Sequence, residues 1–145
     1  MILTSPAFAN NQFIPVKYTC DGGNVNPALM ISGVPAQAKS LALIVEDPDA
    51  PGGSFTHWLV WNIEPTVNTI AENEVPAGAV EGVNDAGRNA YTGPCPPSGI
   101  HHYHFKIFAL DKKLELNPQT NKALLEYAMT EHVLDKAELV GLFSR

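Results

Sequence analysis

The chain has 145 residues, 45% hydrophobic and 17% charged, the proportions of one folded domain with a proper core rather than of a disordered tail. A formal net charge of −6 with only nine Lys and Arg excludes a basic surface for nucleic acid or for an anionic membrane. No apolar run reaches transmembrane length, the N-terminal stretch lacks the basic and hydrophobic regions of a signal peptide, and Cys20 and Cys95 make no disulfide framework, so a cytoplasmic, reduced chain is expected.

Twelve prolines and eleven glycines cluster between short apolar runs, the pattern of many short strands joined by turns. Residues 2–4 and 16–19 are the first strand candidates, separated by a polar turn at Asn10 and Asn11. CDGGNVN (20–26) is a loop closed by Pro27, and 28–32 is another short strand, ended by Gly33 and Pro35. SLALIVE at 40–46 reads as a buried strand that delivers Asp47 into the stiff polar loop DPDAPGGS. Pro48 fixes its own φ and holds Asp47 extended, while Gly52 and Gly53 let the chain turn. Residues 57–63, HWLVWNI, are β-branched and aromatic and form a central strand. Period two sets His57, Leu59 and Trp61 on one face and Trp58, Val60 and Asn62 on the other.

Beyond Pro65 the periodicity weakens, with a short strand at 68–71. NDAGRNAYTGPCPPSG (84–99) is a long loop stiffened by Pro94, Pro96 and Pro97, a length that usually marks function or disorder. HHYHFKIFAL (101–110) alternates: Phe105 and Ile107 must face the core, so His101 and Tyr103 face inward with them. His102 and His104 then face solvent and receive no role. Residues 117–134 carry helical spacing and form the one clear helix, begun at Asn117-Pro118 or at Thr120. The segment 138–143 extends that helix or makes a final strand, and Gly141 beside Leu139 and Val140 favours the strand.

Two stiff loops therefore bring polar groups to an apolar sheet, Asp47 and His57 from the first and His101 and Tyr103 from the second. Asp-Pro-Asp is also ordinary turn chemistry, and a His at a strand entrance is commonly a satisfied edge residue. A metal site from Asp47, His57 and His101, or a Cys95–His101 nucleophile, is the weaker reading of the same residues, and Ser54 lacks the context of an activated serine.

DPDAP followed by a His and an apolar strand, then GPCPPSGIHHY, resembles the phosphatidylethanolamine-binding protein family, in particular its short bacterial and archaeal members, the Raf kinase inhibitor-like proteins. The resemblance runs from YTCDGGNVNPAL through HVLDKAELVG and implies one domain over 1–145. The implied fold is mainly β, a large antiparallel sheet packed on a smaller one, with an anion-binding cavity. Carried over by residue, that cavity would involve Asp47, Pro51, Phe55, His57, Gly93, Pro94, His101 and Tyr103. The family's usual Arg between its His and Tyr is His102 here, and the long C-terminal extension of animal members is missing. The implied function is binding of a small anionic or zwitterionic phospho-ligand such as a phospholipid head group, with no cofactor or metal and no catalytic residue assigned. A protein–protein regulatory module is the alternative, and a hydrolase using the Asp/His pocket is a further one. In this reading Asp47 orients an imidazole and favours its protonated form, so that two imidazolium groups and one carboxylate leave a net positive pocket.

Overall fold

In the computed structural model, which covers residues 1–145, nine strands form two sheets with one helix. The small sheet has the order β1 (Ile2–Thr4), β3 (Leu29–Ser32), β6 (Thr69–Ile70). The large sheet has the order β2 (Gln12–Phe13), β9 (Val133–Ser144), β8 (Ile100–Leu110), β4 (Ser40–Asp47), β5 (Phe55–Ile63), β7 (Val80–Glu81). Its neighbours are antiparallel except β2 and β9, which run parallel.

Strand β4 shows why this sheet organises the molecule. All eight of its residues are buried: the apolar side chains pack on both faces, and Ser40, Glu46 and Asp47 are buried against polar partners. Leu41, Leu43 and Val45 face the small sheet with Phe105, Ile107 and Leu139, and Leu29 and Ile31 close that layer. Ala42 and Ile44 face the other way, where Leu59, Trp61, Leu110, Leu125 and Met129 pack beneath α1 (Lys122–Met129). β8 keeps its alternation, with His101, Tyr103, Phe105, Ile107 and Ala109 buried in turn.

Several elements differ from the sequence-based expectation. Residues 16–19 do not form a strand: Pro15 has φ −58° and Thr19 N–H donates to the Val16 carbonyl, which winds Val16–Tyr18 into a 3-10 turn. The helix is shorter than 117–134. Asn117 makes a turn of its own, and Asn121 caps the helix by accepting the Leu124 N–H. The helix ends by Thr130, and Glu131 at φ +68° turns the chain so that Val133 pairs with Leu110. The final strand therefore starts at Val133 rather than 138 and runs to Ser144.

The strand predicted at 57–63 begins earlier, at Phe55, and contains two bulges. Leu41 pairs with Ile63 but Leu43 with Val60, so β5 carries an extra residue there, with Asn62 at φ +55°. Val45 pairs with Trp58 but Glu46 with Thr56, which leaves His57 unpaired opposite β4. This second bulge overturns the expected phase: His57 does not share a face with Leu59 and Trp61 but turns to the side of Tyr103.

Candidate functional site

The end of β4 carries Asp47, and Phe55 stands opposite it at the start of β5. The intervening loop is stiffened from within, because Asp47 Oδ1 accepts the Asp49 N–H at 2.8 Å. Asp47 Oδ2 accepts from His101 Nδ1 at 2.6 Å, and both side chains are buried. A second pair lies on the outside of the same loop, where Asp49 Oδ2 accepts from His102 Nδ1 at 2.7 Å and from its backbone N–H at 2.8 Å. His102, expected to have no role, thus fastens the first loop to β8, and His104 pairs with Glu138 in the same exposed row.

The second loop is built on Asn84. Its amide donates to the carbonyls of His57 and Ala90 and to Thr92 Oγ1, and its oxygen accepts from Ala86 and Arg88 N–H. That brings the Thr92 carbonyl within 2.6 Å of His57 Nδ1. Gly93 lies so close to the Tyr18 carbonyl that no Cβ would fit, and its N–H donates to Asn24 Oδ1 at 2.7 Å. Cys20 and Cys95 are joined in a disulfide, contrary to the reduced state expected from the sequence.

These two loops enclose a cavity of about 170 Å³. Of the residues expected there, Asp47, Pro51, Phe55, His57, Gly93, His101 and Tyr103 line it. Pro94 does not: it stands behind the wall, and its carbonyl accepts the Cys20 N–H at 3.1 Å. Ala50, Thr92, Cys95, Pro96 and Pro97 complete the lining. Their sequence signal was the Pro-rich loop itself, which did not say which of its residues turn inward.

The cavity's chemistry follows from its hydrogen bonds. A carbonyl only accepts, so His57 Nδ1 carries the proton and Nε2 is left with a lone pair in the neutral ring. Burial pushes the His57 imidazole below its usual range, against the opposing pull of the Thr92 carbonyl and the Asp47 charge. His57 is therefore neutral at pH 7, not the imidazolium expected. Tyr103 is 1% exposed and its hydroxyl has no hydrogen-bond partner. Burial, with Asp47 and Asp49 nearby, pushes this phenol up, so it stays protonated and is a donor in need of an acceptor. Ring contacts fix the geometry: Phe55 to His57 at 4.9 Å, His57 edge-on to Tyr103 at 5.3 Å, and His101 stacked on Tyr103 at 6.4 Å. No group of three or more His, Cys, Asp or Glu is arranged to hold a metal ion.

The family model described as phosphatidylethanolamine-binding protein matches residues 4–144. A UPF0098 protein of Pyrococcus abyssi is 49% identical over the whole chain and 86% of its own length. One from Methanothermobacter thermautotrophicus is 48% identical, covering all of this chain and 99% of that one. The crystal structure of a putative phosphatidylethanolamine-binding protein homologue from Chlamydia trachomatis superposes with a TM-score of 0.95 at 43% identity, covering 99% of this chain and 97% of that one. The E. coli protein YbcL, described as a member of the mammalian family, gives 0.93 at 34% identity with the same coverage.

Proposed function

This chain belongs to the phosphatidylethanolamine-binding protein family, and from that footing we propose that its cavity binds a small phosphate-like anion, free or as the head group of a phospholipid. Family membership supports a ligand-binding or regulatory protein in general. The observation that carries the narrower reading is the Tyr103 hydroxyl, a buried donor without an acceptor at the wall of an open cavity. An unpaired buried polar group costs about 1–3 kcal/mol, a cost that a bound oxyanion removes. A phosphate oxygen accepts from Tyr103, and His57 Nε2 either accepts from a protonated phosphate oxygen or takes up a proton itself and donates to an ionised one. Asp47 serves by fixing the His101 ring rather than by meeting the ligand with bare charge.

Size narrows the class. Pockets for drug-sized ligands run from about 300 to 1,000 Å³. At about 170 Å³ this cavity suits a head group alone, with any acyl chain left outside. No catalytic role is assigned to these groups, and a cytoplasmic location is retained as part of the proposal.

Replacing Tyr103 by Phe tests the reading. The hydroxyl has no protein partner, so its removal breaks no hydrogen bond of the fold, and thermal melting should show little change. Affinity for inorganic phosphate or phosphoethanolamine in calorimetric titration should fall by roughly 1.5–3 kcal/mol, tenfold or more. Unchanged affinity in Tyr103→Phe would remove the hydroxyl from the site and the reading with it.

A further inference from the structure

The disulfide stands at the cavity rather than in the core. Cys95 is a wall residue and is exposed, whereas Cys20 is only partly so. The segment it holds has almost nothing else. Pro94, Pro96 and Pro97 have no N–H to donate, and neither Cys95 nor Ser98 makes a backbone hydrogen bond. The segment is anchored at its two ends, by the Pro94 carbonyl with Cys20 N–H and by Gly99 paired with Arg145. Between them only the bridge and side-chain packing hold Pro96 and Pro97 against the cavity. On the other sulfur, Arg145 Nη2 lies 3.3 Å from Cys20 Sγ, and the same guanidinium pairs with Asp21.

We propose that the Cys20–Cys95 bridge is a thiol–disulfide exchange site, taking a dithiol reductant, and that its opening releases one wall of the ligand cavity. A reductant thiolate attacks the exposed Cys95 sulfur and forms a mixed disulfide. The Cys20–Cys95 bond breaks, and Cys20 leaves as a thiolate beside the Arg145 guanidinium, which favours the anion against the Asp21 carboxylate 3.9 Å from the sulfur. The reductant's second thiol then attacks its own bridged sulfur, freeing Cys95 and closing the reductant into a disulfide. Two electrons and two protons pass to the protein, leaving two thiols. A cytoplasmic home would place this bridge in a reducing thiol pool, where an accessible disulfide is a variable rather than a fixture.

The effect on binding rests on the small-ligand reading above; the exchange step does not. With the wall untethered, a ligand must order it on binding, and that loss of chain freedom is subtracted from the affinity. Affinity for inorganic phosphate should drop about tenfold on reduction, equivalent to about 1.4 kcal/mol. By linkage, phosphate should in turn shift the thiol–disulfide equilibrium of the bridge toward the disulfide by the same factor.

The test compares the oxidised protein, the same protein in dithiothreitol, and the Cys20→Ser/Cys95→Ser double variant. Carbon-13 relaxation of labelled proline side chains reads the wall directly, amide hydrogen exchange reads the strands, and calorimetric titration with inorganic phosphate reads the cavity. The expected result is faster ring motion at Pro96 and Pro97 in the reduced protein, with amide exchange in β4, β5 and β8 unchanged, and weaker phosphate binding. The double variant should match the reduced protein and ignore dithiothreitol. Should the variant fail to fold, the reduced wild type alone carries the comparison. Proline motion that is identical in both redox states, or a bridge that dithiothreitol opens only when the whole protein is unfolded, overturns the proposal. Absence of phosphate binding to the oxidised protein would defeat the small-ligand reading while the proline relaxation still decides the redox one.

Discussion

Burial sets the charge of His57 before any ligand arrives, and binding should reset it. The free ring is held below its usual range by desolvation, with Nδ1–H given to Thr92 and the Nε2 lone pair turned from that bond. An anion bound beside the ring favours the imidazolium and raises its pKa. The sign follows: affinity is flat below the free-state pKa, falls as pH rises from there to the bound-state pKa, and is flat and weaker above it. Because the free value is depressed, the fall begins on the acid side of about 6.5, the ordinary histidine value. Sulfate is the suitable probe, since its charge stays constant across neutral pH. Its binding should be accompanied by proton uptake, measured by calorimetry in buffers of different ionisation enthalpy. Binding of sulfate with no proton uptake at any pH would mean that His57 stays neutral and that Tyr103 and backbone groups alone meet the anion.

At the scale of elements, legibility tracked how uniform the local signal was. β4 was readable because SLALIVE is buried on both sides, and β8 because its apolar and polar residues alternate without interruption. Inward-facing His101 and Tyr103 followed from that alternation alone. The face of His57 was not readable, because the bulge that turns it depends on pairing with β4 and on Thr92 reached through the second loop. Likewise Val133 and Leu134 match helical spacing, but pairing with β8 outweighs it. Nor did two loop cysteines 75 residues apart announce a bridge. The docking of α1 was equally hidden. Glu46, nearly buried on β4, accepts from Lys106 of β8 at 2.6 Å and from Lys122 at the start of α1 at 2.5 Å. Burial opposes its ionisation, yet the two lysine hydrogen bonds outweigh that and hold the carboxyl below its usual range. A depressed carboxyl contributes stability that is present above the unfolded value, about 4.3, and is lost as pH falls through the folded value. Glu46→Gln should therefore destabilise by about 1–3 kcal/mol at pH 7 in urea titration. The gap between variant and wild type should narrow as pH falls below the unfolded value; a gap that stays constant on acidification would assign the loss to packing instead.

For the whole molecule, the question is whether a bridge at the cavity also carries the fold. Closing a loop across 75 residues restricts the unfolded chain, and in chain-entropy terms such bridges contribute about 2–4 kcal/mol. The core that remains after reduction is large: the 21-residue cluster between the sheets and the eight-residue cluster beneath α1 contain neither cysteine. β8 is paired along its whole length with β9 and along most of β4, and none of those registers passes through Cys20 or Cys95. The reduced protein should thus remain folded with intact strands, at a cost of about 2–4 kcal/mol and a melting temperature lower by roughly 5–15 °C. Guanidinium titration should show a lower midpoint in reductant and a larger slope, since an uncrosslinked unfolded chain exposes more surface. A transition that stays cooperative is required if opening the bridge is to free the cavity wall without dissolving the sheet that carries Asp47, His57 and Tyr103. Loss of cooperative unfolding in reductant would show instead that the bridge is part of the scaffold, and the local release of the wall would have no folded state in which to act.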